Sequence, residues 1–379
     1  MNKKIYLSSP HMSGKEMKYI QEAFNTNWIA PLGPNVNEFE NTLQSYLGVN
    51  NFVAALNSGT AAIHLGLLMA GVTQGDEVIC QSMTFSASAN PIKYQGATPV
   101  FIDSEAETWN MCPKFLEAAI IDRLEKGKKP KAIIVVDSYG MPAKWDEIAA
   151  IAKKYSLFLM EDAASALGST YKNQKCGTFG EIGVLSFNGN KIITTSGGGA
   201  LVAKTKEIKE KAVFFATQSR DNAAHYQHSE IGYNYRMSNI VAGIGRGQME
   251  VLDEHITLRR AMHDFYVAYF KDMKGVTVFT EPNTDYFSNH WLSAILVNPK
   301  ETGGKTREDL RLALDAANIE SRPLWKPMHL QPVFANDPYY GGTLSESLFQ
   351  NGLCLPSGSN LTSEDRDSIK LALDNFFKG

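Results

Sequence analysis

Between residues 50 and 205, short runs of apolar and β-branched residues alternate with longer stretches whose apolar positions recur every three to four residues. The runs fall at Glu77–Gln81, Thr98–Ile102, Ala132–Val136, 157–160, 184–187 and 200–202. Strands of that length divided by helices predict an α/β fold whose sheet is mainly parallel and flanked by helices. Such sheets bind ligands beyond the carboxyl ends of their strands, which directs attention to the residues just after each run. From 238 to about 271 the pattern becomes one long helix, with Ile240, Ile244, Met249 and Leu252 among its apolar positions and Arg259 and Arg260 near solvent. Beyond 272 it changes again, to a strand over 291–297, a helix over 307–317, the proline-rich stretch Arg322-Pro-Leu-Trp-Lys-Pro-Met-His329 and a closing helix. These changes predict a large α/β domain over 1–255 and, over 256–379, a connector helix leading into a smaller α+β domain.

A chain of 379 residues exceeds the roughly 250–300 residues at which single cores stop growing, in keeping with two domains. The net charge of -3 and the pI near 6.3 leave no global basic field for nucleic acid or anionic lipid, so any phosphate recognition must be local. Cys80, Cys112, Cys176 and Cys354 are scattered without a CxxC pair, the pattern of reduced thiols rather than a disulfide framework or zinc site. No apolar run approaches the roughly 18 residues of a membrane span, and Met-Asn-Lys-Lys-Ile-Tyr leads into polar sequence without a signal-peptide core. A cytoplasmic location without membrane or nucleic-acid partners is expected.

Chemistry concentrates where two of the runs end. Lys191 follows the run 184–187 and precedes the turn Gly197-Gly-Gly199, and about thirty residues upstream the run 157–160 delivers Asp162. An amine that can take an aldehyde, together with an acid placed to protonate a pyridine nitrogen, suggests pyridoxal phosphate as cofactor. Lys191 would then serve as its anchor and as the proton carrier between the amino donor's alpha carbon and the cofactor's C4′ carbon. Asp162-Ala-Ala also suits a helix cap. A phosphate needs a cradle, and Asn57-Ser-Gly-Thr60 at the start of a helical pattern supplies Ser58, Gly59 and Thr60, though an ordinary capped helix start reads the same way. Ser186 can add a hydroxyl. Phe85, after the run Glu77–Gln81, suits either stacking on a flat ring or core packing. His225 and His228 share one helical face but lack a third ligand, so no metal site is expected, and a loop or interface role fits them better. The glycines of 197–199 fit a tight turn before the next strand.

Six stretches in order, Asn27-Trp-Ile-Ala-Pro-Leu-Gly33, Asn57-Ser-Gly-Thr-Ala-Ala62, Thr84-Phe85, Glu161-Asp-Ala-Ala164, Ser186 to Lys191 and Gly232-Tyr-Asn-Tyr-Arg-Met-Ser-Asn239, closely resemble the sugar-nucleotide aminotransferases of the DegT/DnrJ/StrS family, over nearly the whole chain. The resemblance implies the fold-type I architecture of pyridoxal phosphate enzymes and a homodimer with shared active sites, where Asn234 of one protomer reaches the cofactor phosphate of the other and Arg236 lies nearby. It also implies that Arg322, Trp325 and His329 bind the nucleotide sugar. The stretches Ser186 to Gly199 and Arg322 to His329 resemble the branch that aminates UDP-4-keto-6-deoxy-N-acetylglucosamine with L-glutamate, on the route to bacillosamine and related glycans. Amination of a GDP- or dTDP-linked sugar is the nearest alternative. A non-catalytic regulator that binds the cofactor is a further one, disfavoured by the absence of a basic patch or DNA-binding module. Two positions depart from the family's pattern: Ser165, where Glu, Gln or His is usual, and Asp137-Ser-Tyr-Gly140, in place of His-Leu-Tyr-Gly or Asn-Leu-Tyr-Gly.

Overall fold

The structure is a computed structural model and describes residues 3–48 and 50–378. Its large sheet contains β1 (Phe52–Leu56), β2 (Glu77–Gln81), β3 (Thr98–Ile102), β4 (Ala132–Val136), β5 (Phe158–Asp162), β6 (Ile182–Ser186) and β7 (Gly199–Ala203). They lie in the order β1, β7, β6, β5, β4, β2, β3, and the short strand Tyr339–Tyr340 adds an eighth member beside β3. Every neighbouring pair is parallel except those made by β7, which runs against both β1 and β6. The carboxyl ends of all the other strands therefore share one edge of the sheet, and the start of β7 joins them there. Residues of β4 are at most 4% exposed, as befits a central strand covered by helices on both faces.

The predicted runs appear with shifted ends. The 157–160 run extends to Asp162, which pairs with Val136 and Val184, and the 184–187 run begins two residues earlier. β1 went unread because Phe-Val-Ala-Ala-Leu carries two alanines and weak strand propensity, and its pairing with β7 supplies what local sequence lacks. After β1 comes α1 (Gly59–Met69), apolar on nearly all sides and buried against the sheet.

The long helix expected over 238–271 is two helices, α2 (Asn239–Met249) and α3 (Leu252–Phe270), divided where Val251 takes φ -123° and ψ 10°. Glycines on α2 admit close neighbours: a Cβ on Gly245 would lie 2.7 Å from the Phe39 ring, and one on Gly247 would lie 2.8 Å from the Glu16 backbone. The chain leaves α3 for a second sheet, in the order Val276–Val278, Ser293–Val297, Gly352–Leu355, Arg322–Pro323, all antiparallel. Met262, Tyr266 and Phe270 of α3 share its core with Ile295, Leu310 and Leu373, and Ile5 joins them through a bridge to Ile319. Arg259, expected near solvent, is 1% exposed. No described helix is long and apolar enough to cross a membrane. The four cysteines are free thiols.

Candidate active site

The shared strand edge opens into a cleft of about 710 Å³, within the usual range for small-molecule sites. Each wall follows from topology. Ser58, Gly59 and Thr60 come from the β1–α1 turn, Phe85 follows β2, Asp162 ends β5, Ser186 ends β6, and Lys191 and Gly198 lie on the segment joining β6 to β7. The second sheet and its loops close the opposite side with Trp291, Arg322, Trp325 and Cys354. Of the twelve residues picked from the sequence, nine line this space: Ser58, Gly59, Thr60, Phe85, Asp162, Ser186, Lys191, Arg322 and Trp325.

Lys191 Nζ donates to Ser165 Oγ at 3.2 Å and lies 4.0 Å from the centre of the Trp291 ring. Burial lowers its ammonium to about 8, against the opposing pull of the Asp162 charge. An amine near neutrality can both attack a carbonyl and carry a proton. Ser165, the shorter residue at the first departure from the family pattern, is thus the hydroxyl partner of the lysine.

Asp162 is 3% exposed. It accepts from Ser88 Oγ at 2.6 Å and from the Ala164 amide at 3.1 Å, which fixes its orientation. Burial raises its carboxyl above the ordinary aspartate range, opposed by these two hydrogen bonds and by Lys191. The Ala164 bond closes a turn after β5, and no helix begins there, so the helix cap that the sequence also allowed is not formed and the carboxylate is presented to the cleft.

The anion cradle is built by close backbone approach. Leu56, Gly199 and Ser186 are paired in one row across β1, β7 and β6. A Cβ on Gly199 would stand 2.3 Å from the Gly59 nitrogen, so only glycine lets β7 pass this near the start of α1. Ser58 caps that helix, its Oγ accepting from the Ala61 amide at 3.0 Å. The first amides of α1 point out of the helix with its positive dipole end, beside the Ser186 side chain. Amine, buried carboxylate and anion cradle in one cleft fit the three chemical needs of pyridoxal phosphate.

Phe85 is 60% exposed, which removes core packing as its role. Trp325 stacks on Tyr139 at 4.4 Å, and its backbone amide donates to Tyr139 Oη at 2.8 Å. Tyr139 itself takes φ 57°, a left-handed conformation costly for a bulky residue. Arg322 is exposed and pairs with Glu320 at 2.9 Å.

Three residues picked from the sequence stand outside the cleft wall. Arg236 is held by Glu40 at 2.6 Å and by the Ala55 carbonyl at 2.9 Å. His329 has its ring between Ser82 Oγ at 2.7 Å and Glu346 at 3.4 Å, stacked on Tyr339 at 3.7 Å. Both have partners within the chain. Asn234 is exposed, and its carbonyl accepts from Asn57 Nδ2 at 3.2 Å, next to the cradle. His228 lies in an exposed loop, with Nδ1 2.8 Å from the Gln218 carbonyl. At the second departure, Asp137 faces away from the cleft: its Oδ1 accepts from the Ala143 amide and from Trp145 Nε1.

Sequence reading missed Ser88, Trp291 and Arg259. Ser88 and Trp291 carried no motif of their own. Among the described residues the guanidinium of Arg259 has no carboxylate partner; it donates to the carbonyls of Trp291 at 2.7 Å, Ser357 at 3.3 Å and Lys191 at 3.4 Å, and to Ser8 Oγ at 3.0 Å. An arginine beside a second arginine on an otherwise helical pattern gave no signal of this.

Residues 10–374 match the DegT/DnrJ/EryC1/StrS aminotransferase family. EpsN of Bacillus subtilis (strain 168), assigned as a pyridoxal phosphate-dependent aminotransferase, is 50% identical over 381 residues, covering 100% of this chain and 97% of that protein. GDP-perosamine synthase of Escherichia coli O157:H7 is 37% identical over 375 residues, covering 99% of each. Among solved structures, a DegT DnrJ EryC1 StrS aminotransferase from Brucella abortus superposes with a TM-score of 0.89 at 30% identity, covering 97% of this chain and 96% of that one.

Proposed function

The chain belongs to the DegT/DnrJ/EryC1/StrS aminotransferase family and is a pyridoxal phosphate-dependent sugar aminotransferase, and from that premise we propose that it moves the amino group of L-glutamate to the C4 ketone of a nucleotide-linked 4-keto-6-deoxy sugar. The first candidate is UDP-2-acetamido-2,6-dideoxy-hexos-4-ulose, the UDP-4-amino product serving glycan or polysaccharide biosynthesis. The observation that carries the reading is the Lys191 amine, half-buried in the cleft beside Ser165 and Trp291, with its ammonium lowered to about 8 by burial.

Pyridoxal phosphate, when bound, supplies an aldehyde that condenses with amines and a ring that withdraws electrons from the carbon losing its proton. The residues of the chain supply the rest. Asp162, fixed by Ser88 and the Ala164 amide, is placed to keep a proton on the ring nitrogen. Ser58, Gly59, Thr60 and Ser186 bind the phosphate at the start of α1. Phe85 covers one face of the ring. Lys191 Nζ takes the proton from the donor's alpha carbon and returns one at C4 of the sugar. Trp325 and Arg322, on the opposite wall, hold the nucleotide sugar, whose remote binding energy orients the ketone. Arg236, bonded to Glu40 and the Ala55 carbonyl, and His329, between Ser82 and Glu346, complete the substrate-binding set in this reading from outside the cleft wall. The working form in this reading is a homodimer, in which Asn234 of one protomer reaches the cofactor phosphate in the cleft of the other.

A second reading, a GDP-linked sugar, is favoured by the 37% identity with GDP-perosamine synthase over 99% of both chains. The experiment is to give the cofactor-loaded protein L-glutamate with the UDP- or the GDP-linked 4-keto-6-deoxy sugar and to weigh the nucleotide product. An amino sugar from the UDP substrate supports the first reading, and one from the GDP substrate alone moves the function to the second. No amino sugar from either would sink both.

A further inference from the structure

Lys191 is the only cleft lysine without a carboxylate in hydrogen-bond contact that also has an aromatic face against it among the described residues. Its nitrogen sits 4.0 Å from the centre of the Trp291 ring, with Ser165 Oγ as its one hydrogen-bond acceptor. Trp291 is tied down at three points, one on its ring and two on its backbone. Its Nε1 donates to the Asn190 carbonyl at 2.6 Å, its backbone amide to Asn289 Oδ1 at 2.8 Å, and its carbonyl accepts from Arg259. Asn190 is the residue before Lys191, and the same guanidinium reaches the Lys191 carbonyl. Ring and amine are therefore registered to one another through two separate backbone contacts. Trp291 is 4% exposed, so no water competes for the ring face.

We propose that Trp291 is a positioning residue that parks the free amine of Lys191 over its indole face, steadying the charged form of the lysine whenever that amine is not bonded to the cofactor. The idea rests on the role given to Lys191 above, but the contact it concerns belongs to the protein alone. Of the charged groups near the lysine, the Asp162 carboxylate at the end of β5 favours the cation, and the Arg259 guanidinium on α3 reaches its backbone carbonyl. His255, one turn before Arg259, lies 3.3 Å from the Ile192 carbonyl. A cation over an indole gains most when both are shielded from water, and the gain corresponds to a pKa rise of roughly 0.5–1.5 units.

The test uses cofactor-free protein and reads the lysine directly. Reductive methylation of Lys191 is followed across pH by peptide mass, first in wild type, then in protein carrying mono-, di- and trifluorinated tryptophan at 291, which weakens the ring's negative face while keeping its shape. The expected result is a stepwise fall in the Lys191 midpoint, about one unit in all. Trp291→Phe should fall partway and Trp291→Leu the whole way. A midpoint indifferent to fluorine, or one that rises, overturns the proposal without touching the transaminase reading. Loss of amination with an unchanged fluorine response would do the reverse.

Discussion

At the residue scale the account turns on a lysine whose charge the fold resists. Burial brings the ammonium of Lys191 from its ordinary 10.5 to about 8. Unfolding therefore takes up a proton at this site between about pH 8 and 10.5, so its cost is full below pH 8 and fades as pH rises through that window. Lys191→Met, which keeps the length and drops the charge, should make the cofactor-free protein more stable by about 3 kcal/mol at pH 7 and by nearly nothing at pH 11. Denaturant unfolding at the two pH values checks this, and an equal effect at both would mean that the ammonium is not strained. Lys191 and Asp162 were legible in the sequence because each sits where a strand run ends and because their chemical types complement one another. Trp291 and Arg259 were not, since they meet Lys191 only once the lead-in to the second sheet and α3 pack back against it, across 100 and 68 residues of chain respectively.

At the scale of elements, the cradle depends on β7 passing α1 at a distance that a side chain forbids. Gly199→Ala would place a methyl 2.3 Å from both the Gly59 nitrogen and the Ser58 carbonyl carbon, backbone atoms that cannot rotate away. The variant should bind pyridoxal phosphate at least about tenfold more weakly, the cost of a misplaced anion site. Gly197→Ala, where a Cβ meets nothing within 4 Å, should bind like wild type. Fluorescence titration with the cofactor measures both, and equal affinity for the two variants would remove the cradle from the account. The glycines of 197–199 read locally as a turn, which they are, but the reason for the last of them lies on another strand. The same holds for β1, whose alanines conceal a strand, and for the break at Val251, where no glycine or proline marks the end of α2. Pattern gives the type of an element more readily than its limits, because ends are set by partners.

At the scale of the whole molecule, the alternation of runs and helices predicted a mainly parallel sheet, and the single reversed strand β7 is what brings Gly198 and Gly199 to the edge shared by Ser58, Asp162 and Ser186. The order of strands was beyond reach of the sequence, as was the addition of Tyr339–Tyr340 to the large sheet from the far end of the chain. That strand ties the C-terminal part to β3, and the bridge from Ile5 to Ile319 ties it to the N-terminal segment. The central claim is that this cleft performs amino transfer through Lys191. Its most direct test is to load the protein with pyridoxal phosphate, reduce it with borohydride and map the added mass, with and without prior L-glutamate. The account predicts the cofactor's mass on the peptide containing Lys191, and its loss after glutamate. Cofactor fixed on another lysine, or fixed on Lys191 regardless of glutamate, would contradict it.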